Sequence, residues 1–476
     1  MKVLFAAAEC APFFKTGGLG DVAGALPKSL KKNGVEVRVV LPYFPKMAAQ
    51  YKDQIKDLFH FDVYVGWRKQ YCGIKYLKHQ GIEYYFIDNL YYFDRPELYG
   101  YYDDGERFAF FQMALIEMLE KIDYIPNLIH VNDYHTAMVP FLLKEKYNWI
   151  NAFSAIRTVF TIHNIEFQGQ YASEVLVDLF GMGTERYEDG TVRFNNCVNF
   201  MKAGILYADR ITTVSPSYAE EIRTAEFGAG LDVILRMESG KLSGIVNGID
   251  DELFDPAKDP ALFKNYDVKH LDDKVENKLR FQKELGLPVR KDVPMIGIVS
   301  RLTYQKGFHL LLEEMENLMQ FDVQLVLLGT GDPRFEAEFR SFGERYSAKA
   351  SIHLTFDLLF AQKIYGSADL FLMPSAFEPC GLSQMIAMRY GTLPIVHEIG
   401  GLRDTVTPYN PLTHAGTGFG FVDFQSFHLM NAIKQAIEVY QNQPKIWQAL
   451  MERAMQQDFS WEQSSQQYLE LYRQIV

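Results

Sequence analysis

The sequence predicts an α/β protein of two domains, each a parallel β-sheet wrapped by helices. The chain opens on an apolar run, an amphipathic segment and a second apolar run, and the same order restarts in the second half after a polar stretch. That alternation marks βαβ units and parallel sheets. A third observation is length, because 476 residues, at roughly 100–200 per domain, fill more than one domain.

In chain order, residues 3–8 read as a buried strand. Residues 21–33 read as a helix with Val22, Ala25, Leu26 and Leu30 on one face. Pro27 lies inside that pattern and is expected to kink or shorten it. Asn33-Gly34 is a stop signal, and residues 35–41 form the next strand. Residues 128–131, 157–162 and 210–214 are further strands. A polar, Asp-rich and Pro-containing stretch, residues 248–292, separates the halves. Beyond it come a strand at 295–299, a helix at 308–318, a strand at 323–328 running into Gly329-Thr330-Gly331, and strands at 370–373 and 393–396. The last segment is a helix. Ser460 suits its N-cap and Gln463 a capping box. Trp461, Tyr468, Leu469, Tyr472 and Ile475 form an apolar stripe that must pack on one domain or the other. Ligands of open α/β sheets bind beyond the carboxyl ends of the strands. Two such domains facing each other give a cleft.

Hydrophobic residues make up 48 % of the chain, ample for two cores, and the formal net charge is −12. An acidic surface repels nucleic acid and anionic membrane, so neither is expected as a partner. A local cluster of Lys and Arg still binds a small anion. The four cysteines, Cys10, Cys72, Cys197 and Cys380, are scattered. They suit neither a disulfide framework nor a zinc site, and fit a reducing cytosol. Glu9 interrupts the apolar start, which is too short for a signal peptide. No run approaches the roughly 18 apolar residues of a membrane span. A cytoplasmic protein is expected.

Four motifs carry chemistry. Lys15-Thr16-Gly17-Gly18-Leu19-Gly20-Asp21 lies between a strand and a helix. Its glycines and the helix N-terminus suit an anion, and Lys15 adds charge, so it reads as a phosphate cradle rather than a plain turn. Gly18 to Gly24 also resembles a dinucleotide fingerprint. The acidic residue expected about 20 positions on, at the end of the second strand, is missing from Val39-Val40-Leu41-Pro42, which argues against an oxidoreductase. Ser300-Arg301-Leu302-Thr303-Tyr304-Gln305-Lys306-Gly307 places a guanidinium fork and a point charge at a strand's carboxyl end, a pairing suited to a diphosphate.

Phe377-Glu378-Pro379-Cys380-Gly381-Leu382-Ser383 opens an apolar helix. Glu378 there stabilises a developing oxocarbenium ion, holds a sugar hydroxyl, or merely complements the helix dipole. Cys380 reads as a packed thiol. Thr161-Ile162-His163-Asn164 ends a strand, where His163 either donates to a sugar hydroxyl or is a satisfied core histidine. Asp133 and His135 lack a third partner, so no metal site is expected, and no Asp-x-Asp occurs. Aromatics are dense at 84–86, 91–93 and 99–102. They stack on sugar rings or simply pack.

Together these motifs resemble those of the bacterial glycogen synthases and plant starch synthases. Lys-x-Gly-Gly-Leu, His-x-Asn-Asp-Tyr-His, Val-Asn-Gly-Ile-Asp, Ser-Arg-Leu-Thr-x-Gln-Lys-Gly and Phe-Glu-Pro-Cys-Gly-Leu appear in that order over the whole chain. The resemblance implies two Rossmann-like domains of the GT-B glycosyltransferase type. They would span residues 1–248 on the acceptor side and 249–459 on the nucleotide-sugar side, with a helix at 460–476 crossing back to the first domain. It implies transfer of glucose from ADP-glucose to the non-reducing 4-hydroxyl of an α-1,4-glucan such as glycogen, with retention of configuration and without cofactor or metal. Lys15, Arg301 and Lys306 would clamp the diphosphate. The backbone of Gly18, Gly381, Leu382 and Ser383 would meet phosphate or sugar. Asp21, His163, Asn164, Asn247 and Glu378 would form the glucose pocket, with Asp133 and Cys380 beside it, and Phe356 would stack on adenine. His163, Glu378, Lys306 and Arg301 are the expected catalytic set.

Some positions depart from the family pattern. Ala376 stands where Arg is expected, Ile399 where Thr is, Tyr134 where Trp is common and Ile386 where a second Glu holds the ribose. The alternatives are a related transferase with UDP-glucose or another acceptor, and a non-catalytic glucan-binding protein. The complete clamp beside a carboxylate argues against the latter.

Overall fold

The apolar run after Lys2 becomes β1 (Lys2–Ala6), near the middle of a nine-stranded sheet. In the computed structural model, which describes residues 1–476, the chain divides into two units: Met1–Asn247 with Trp461–Val476, and Gly248–Ser460. In the first unit β2 (Glu36–Pro42) and β5 (Ile82–Asp88) lie on one side of β1. β6 (Leu128–Asn132), β7 (Arg157–Ile162), β11 (Arg210–Thr213) and β12 (Leu242–Gly244) lie on the other. These seven strands are parallel. β1 and β6 are buried along almost their whole length, as strands covered by helices on both faces must be.

The sequence reading omits two parts of this unit. β3 (Lys56–Val65) and β4 (Arg68–His79) form an antiparallel hairpin that extends the sheet at its β5 edge. β8 (Gln170–Tyr171), β9 (Arg193–Phe194) and β10 (Cys197–Asn199) form a small separate sheet. Most of the dense aromatics prove to be packing. Tyr84, Phe86, Tyr92 and Phe93 are fully buried, while Tyr91 and Tyr102 are exposed.

The first helix runs Gly18–Lys32, starting earlier than its apolar face suggests. It passes through Pro27 without ending, a correction to the expected shortening. The proline leaves a single ladder bond unmade and is itself buried. Burial of the face carrying Leu19, Val22, Leu26 and Leu30 outweighs that loss.

The C-terminal helix, Trp461–Arg473, packs on this first helix. Its Trp461, Tyr468, Leu469 and Tyr472 join the first unit's core, with Ile475 at the margin. Polar contacts fix the register: Ser29 Oγ meets Ser465 Oγ at 2.7 Å and the Trp461 carbonyl at 3.2 Å. The capping box is replaced. The Ser460 N–H, which Gln463 was expected to accept, goes to Asp458 Oδ1 at 2.9 Å, a charged and therefore stronger acceptor.

The second unit holds a six-stranded parallel sheet. Its order is β15 (Ala350–His353), β14 (Gln324–Leu328), β13 (Met295–Val299), β16 (Leu370–Met373), β17 (Leu393–His397) and β18 (Phe419–Phe421). Two buried lysines of the Asp272–Glu284 helix brace the sheet's amino-terminal end. Lys278 Nζ lies 2.7 Å from Asp369 Oδ2, just before β16. Lys274 Nζ donates to the carbonyls of Tyr365 and Gly366 and to Thr392 Oγ1, just before β17. No helix is long and apolar enough to cross a membrane.

Candidate active site

Most of the candidate residues gather beyond the carboxyl ends of strands, where ligands of open α/β sheets bind. Each unit contributes its own group.

In the first unit the chain leaves β1 and returns as the glycine turn before the Gly18–Lys32 helix. Lys15 Nζ lies 2.6 Å from Asp21 Oδ1, and both side chains are partly exposed. Gly20 permits this approach, because a Cβ there would stand 2.4 Å from Lys15 Cβ. The turn rests on Glu9, a buried carboxylate. Its oxygens accept from the Thr16 N–H and hydroxyl at 2.7 Å each and from the Gly20 N–H at 3.0 Å. Sequence reasoning saw Glu9 only as an interruption. An acid buried at a strand's carboxyl end was the available signal, since such groups are buried only with partners. The cradle expected here thus has two N–H groups already committed to Glu9.

After β7, His163 is half-buried, and desolvation of the ring pushes its imidazole down to about 3. The neutral ring has one N–H. Its Nε2 lies 2.8 Å from Asn132 Oδ1, whose amide is oriented by Asn132 Nδ2 donating to the Ala6 carbonyl at 3.0 Å. Nε2 is therefore the donor, and Nδ1 is left as an acceptor. The ring's one N–H is thus spent on Asn132, and toward a sugar hydroxyl the ring would accept rather than donate. Asp133, at φ +54°, accepts from the His163 N–H at 2.8 Å. Burial lifts its carboxyl to about 7 against the pull of the His163 and Asn164 N–H groups. Asn164 Oδ1 accepts from the Glu166 N–H at 3.0 Å. Asn247 is buried, with Oδ1 unpartnered within the chain. His135 is a core histidine, held neutral by burial and ringed by Tyr99, Phe108 and Tyr134.

In the second unit, Lys306 Nζ donates to Glu378 Oε2 at 2.7 Å, with side chains only 15 % and 8 % exposed. The same oxygen accepts from Ser375 Oγ at 2.9 Å, a partner the sequence reading passed over. The loops carrying Lys306 and Glu378 are stitched together: the Ala376 N–H donates to the Gln305 carbonyl at 2.8 Å. Gly307 is required for this, since at φ +74° a Cβ would stand 1.8 Å from the Pro374 carbonyl oxygen. A cavity of about 180 Å³ opens here, lined by Ser300, Arg301, Lys306, Ser375 and Ser383. Two cations beside serine hydroxyls suit a phosphate group.

Gly381, at φ +74°, turns the chain into the Ser383–Arg389 helix behind Leu382. Cys380 is a buried thiol, not a disulfide. Phe356 stands 85 % exposed between β15 and the Leu358–Ser367 helix. Lys306, Glu378, Arg301 and Ser383 are therefore brought together. His163, Asp133 and Asn164 are joined likewise, as are Lys15 and Asp21.

Comparison with known proteins agrees. Residues 2–237 match the family described as starch synthase catalytic domain, and residues 280–449 the family of glycosyl transferases group 1. The chain is 61 % identical over 477 residues to the glycogen synthase of Ligilactobacillus salivarius (strain UCC118), covering 100 % of both. It is 60 % identical over 476 residues, at the same coverage, to that of Streptococcus mutans serotype c. The catalytic domain of starch synthase IV from Arabidopsis thaliana, solved with ADP and acarbose, superposes at a TM-score of 0.92 with 34 % identity, covering 100 % of this chain and 99 % of that one. Sucrose-phosphate synthase from Thermosynechococcus elongatus shares the fold at 19 % identity and a TM-score of 0.63, covering 100 % of this chain and 98 % of that one. The chain therefore has the GT-B glycosyltransferase fold and belongs to the glycogen synthase and starch synthase family.

Proposed function

We propose that the protein elongates an α-1,4-glucan such as glycogen by transferring glucose from ADP-glucose to the non-reducing 4-hydroxyl, with retention at the anomeric carbon. One observation carries this reading: the Lys306–Glu378–Ser375 cluster beside Arg301 and its cavity. A glucosyl diphosphate needs positive charge where the leaving group forms and a carboxylate where the sugar becomes cationic. The cluster holds both within one hydrogen bond.

Arg301 and Lys306 bind the diphosphate and stabilise the departing ADP, the charge compensation a divalent ion supplies in other sugar transferases. Lys15 joins this clamp, and its salt bridge to Asp21 opens as the phosphate arrives. Glu378 faces the glucose and is held in place by Lys306 and Ser375. Asn247 Oδ1, Asp21, Asn164 and the accepting Nδ1 of His163 take sugar hydroxyls, while Asp133 orients the His163–Asn164 backbone. The backbone of Gly18, Gly381, Leu382 and Ser383 lies against phosphate or sugar, with Cys380 packed behind it. The exposed Phe356 ring stacks on adenine. Residues 1–248 serve the acceptor and residues 249–459 the nucleotide sugar. Leaving phosphate and entering hydroxyl share one face of the sugar, so a front-face displacement accounts for retention. Scattered cysteines outside disulfides suit a cytoplasmic setting.

The test compares kcat/KM for ADP-glucose and UDP-glucose with glycogen as acceptor and a chelator present. The reading requires ADP-glucose to be preferred and the chelator to be without effect. Preference for UDP-glucose would overturn the donor assignment, and glycogen binding without transfer from either would favour the binding protein.

A further inference from the structure

His397 ends β17 directly behind the Glu378 loop and is only 6 % exposed. Its Nδ1 lies 2.7 Å from the Ser375 carbonyl oxygen and its Nε2 lies 3.0 Å from the Val422 carbonyl oxygen. Both partners are main-chain acceptors with no proton to give. A neutral imidazole has one N–H, so it makes one of these bonds and turns a lone pair on the other oxygen. The lone pair of the neutral ring then faces a carbonyl oxygen at 2.7 or 3.0 Å, a repulsive contact in either tautomer, and the cost is greatest at the buried Ser375 oxygen because the Val422 side is only part-buried. Only the imidazolium makes both. The ring also lies against Phe421, stacked at 5.3 Å, and Phe424 at 5.1 Å, and aromatic faces favour a cation.

What the ring holds is Ser375, whose hydroxyl donates to Glu378 Oε2. The chain of contacts runs from the 421–424 segment through His397 and Ser375 to Glu378 and Lys306. We propose that His397 is a proton-dependent positioning residue for Glu378. As an imidazolium it ties the Glu378 loop to the segment after β18, and loss of one proton releases one of the two carbonyls.

Charged groups surround it on each element. Glu398 follows it in the chain, just past the end of β17. Glu378 and Lys306 lie beyond Ser375. Asp423, mostly exposed and 3.5 Å from His428, follows Val422. His309, which burial disfavours as a cation, packs edge-on against Phe424. An imidazole gains its second proton as pH falls, so the tie is complete at low pH and is lost as pH rises.

The proton claim stands apart from the transfer reaction, and only its kinetic consequence rests on the role given to Glu378. The experiment therefore has two readouts on the full chain. Ring-nitrogen NMR of protein labelled with ¹⁵N-histidine, with His397→Gln identifying the signal, reads the proton count directly. Both nitrogens should be protonated at the pH of maximal kcat, and one should lose its proton as kcat declines on the alkaline side. His397→Arg, which offers two donors at every pH, should remove that decline. His397→Phe should lower kcat about tenfold, the loss expected from one weakened charge-assisted bond in the loop. A neutral His397 ring at the pH of maximal kcat overturns the proposal, and so does an unchanged alkaline decline in His397→Arg. If no transfer is found at all, the NMR result still decides the proton count.

Discussion

Replacing Lys306 by Met separates the two roles its position implies. The ammonium lies 2.7 Å from Glu378 Oε2 with both side chains largely buried, so the change leaves a carboxylate in a poorly solvated site. Breaking such a pair costs about 3–5 kcal/mol. The Ser375 hydroxyl at 2.9 Å still donates to Glu378, which places the loss at about 3 kcal/mol, or roughly 100-fold in the folding equilibrium. If Lys306 also meets the leaving diphosphate, kcat/KM for ADP-glucose falls by a further 10²–10³, the usual loss for one preorganised transition-state contact. Urea unfolding reads the first quantity and coupled ADP release the second. In the double variant Lys306→Met with Glu378→Gln, stability should largely return because no charge is left unpaired, while activity should not. Wild-type kcat/KM in a destabilised Lys306→Met protein would refute the clamp and leave Lys306 as a structural partner of Glu378.

Three further outcomes follow from other contacts. Between pH 6.5 and 4 stability should fall with acidification: His130, His135 and His163 are each pushed down to about 3 by burial, against Asp133 lifted to about 7. Three histidines take up protons on unfolding and one carboxyl releases one, a net uptake of about two per chain; urea midpoints that stay flat over this range would contradict it. Tyr472→Phe removes the hydroxyl 2.6 Å from His130 Nδ1, while Thr161 Oγ1 stays 2.6 Å from Nε2, so it should cost about 1–3 kcal/mol in urea unfolding with little change in KM. Gly20→Ala should raise KM for the donor and lower the Tm, since the added Cβ meets Lys15 Cβ at 2.4 Å and such overpacking costs about 1–3 kcal/mol; an unchanged KM would detach Lys15 from donor binding.

The parallel strands were readable from the sequence because covered strands are continuous apolar runs bounded by turns, and Met295–Val299 and Arg157–Ile162 fall where the pattern puts them. The β3–β4 hairpin was not, because its outer face mixes Tyr64, Tyr71, His60 and charges, and aromatic density drew attention to sugar stacking instead. Pro27 did not shorten its helix, because that local rule was outweighed by burial of the helix face. Charged residues at strand ends announced Lys306 and Glu378. Ser375, Glu9 and His397 did not stand out, because their importance lies in partners remote along the chain, such as Val422 for His397. The tautomer of His163 likewise depends on Asn132, which only the fold brings within reach.

The most direct measurement follows labelled glucose from ADP-glucose into glycogen with chelator present, then digests the product with β-amylase, which cuts α-1,4 links inward from non-reducing ends. The account predicts robust incorporation and release of the label as maltose. Incorporation resistant to β-amylase would contradict the retained α-1,4 linkage, and absence of incorporation would contradict the transfer itself.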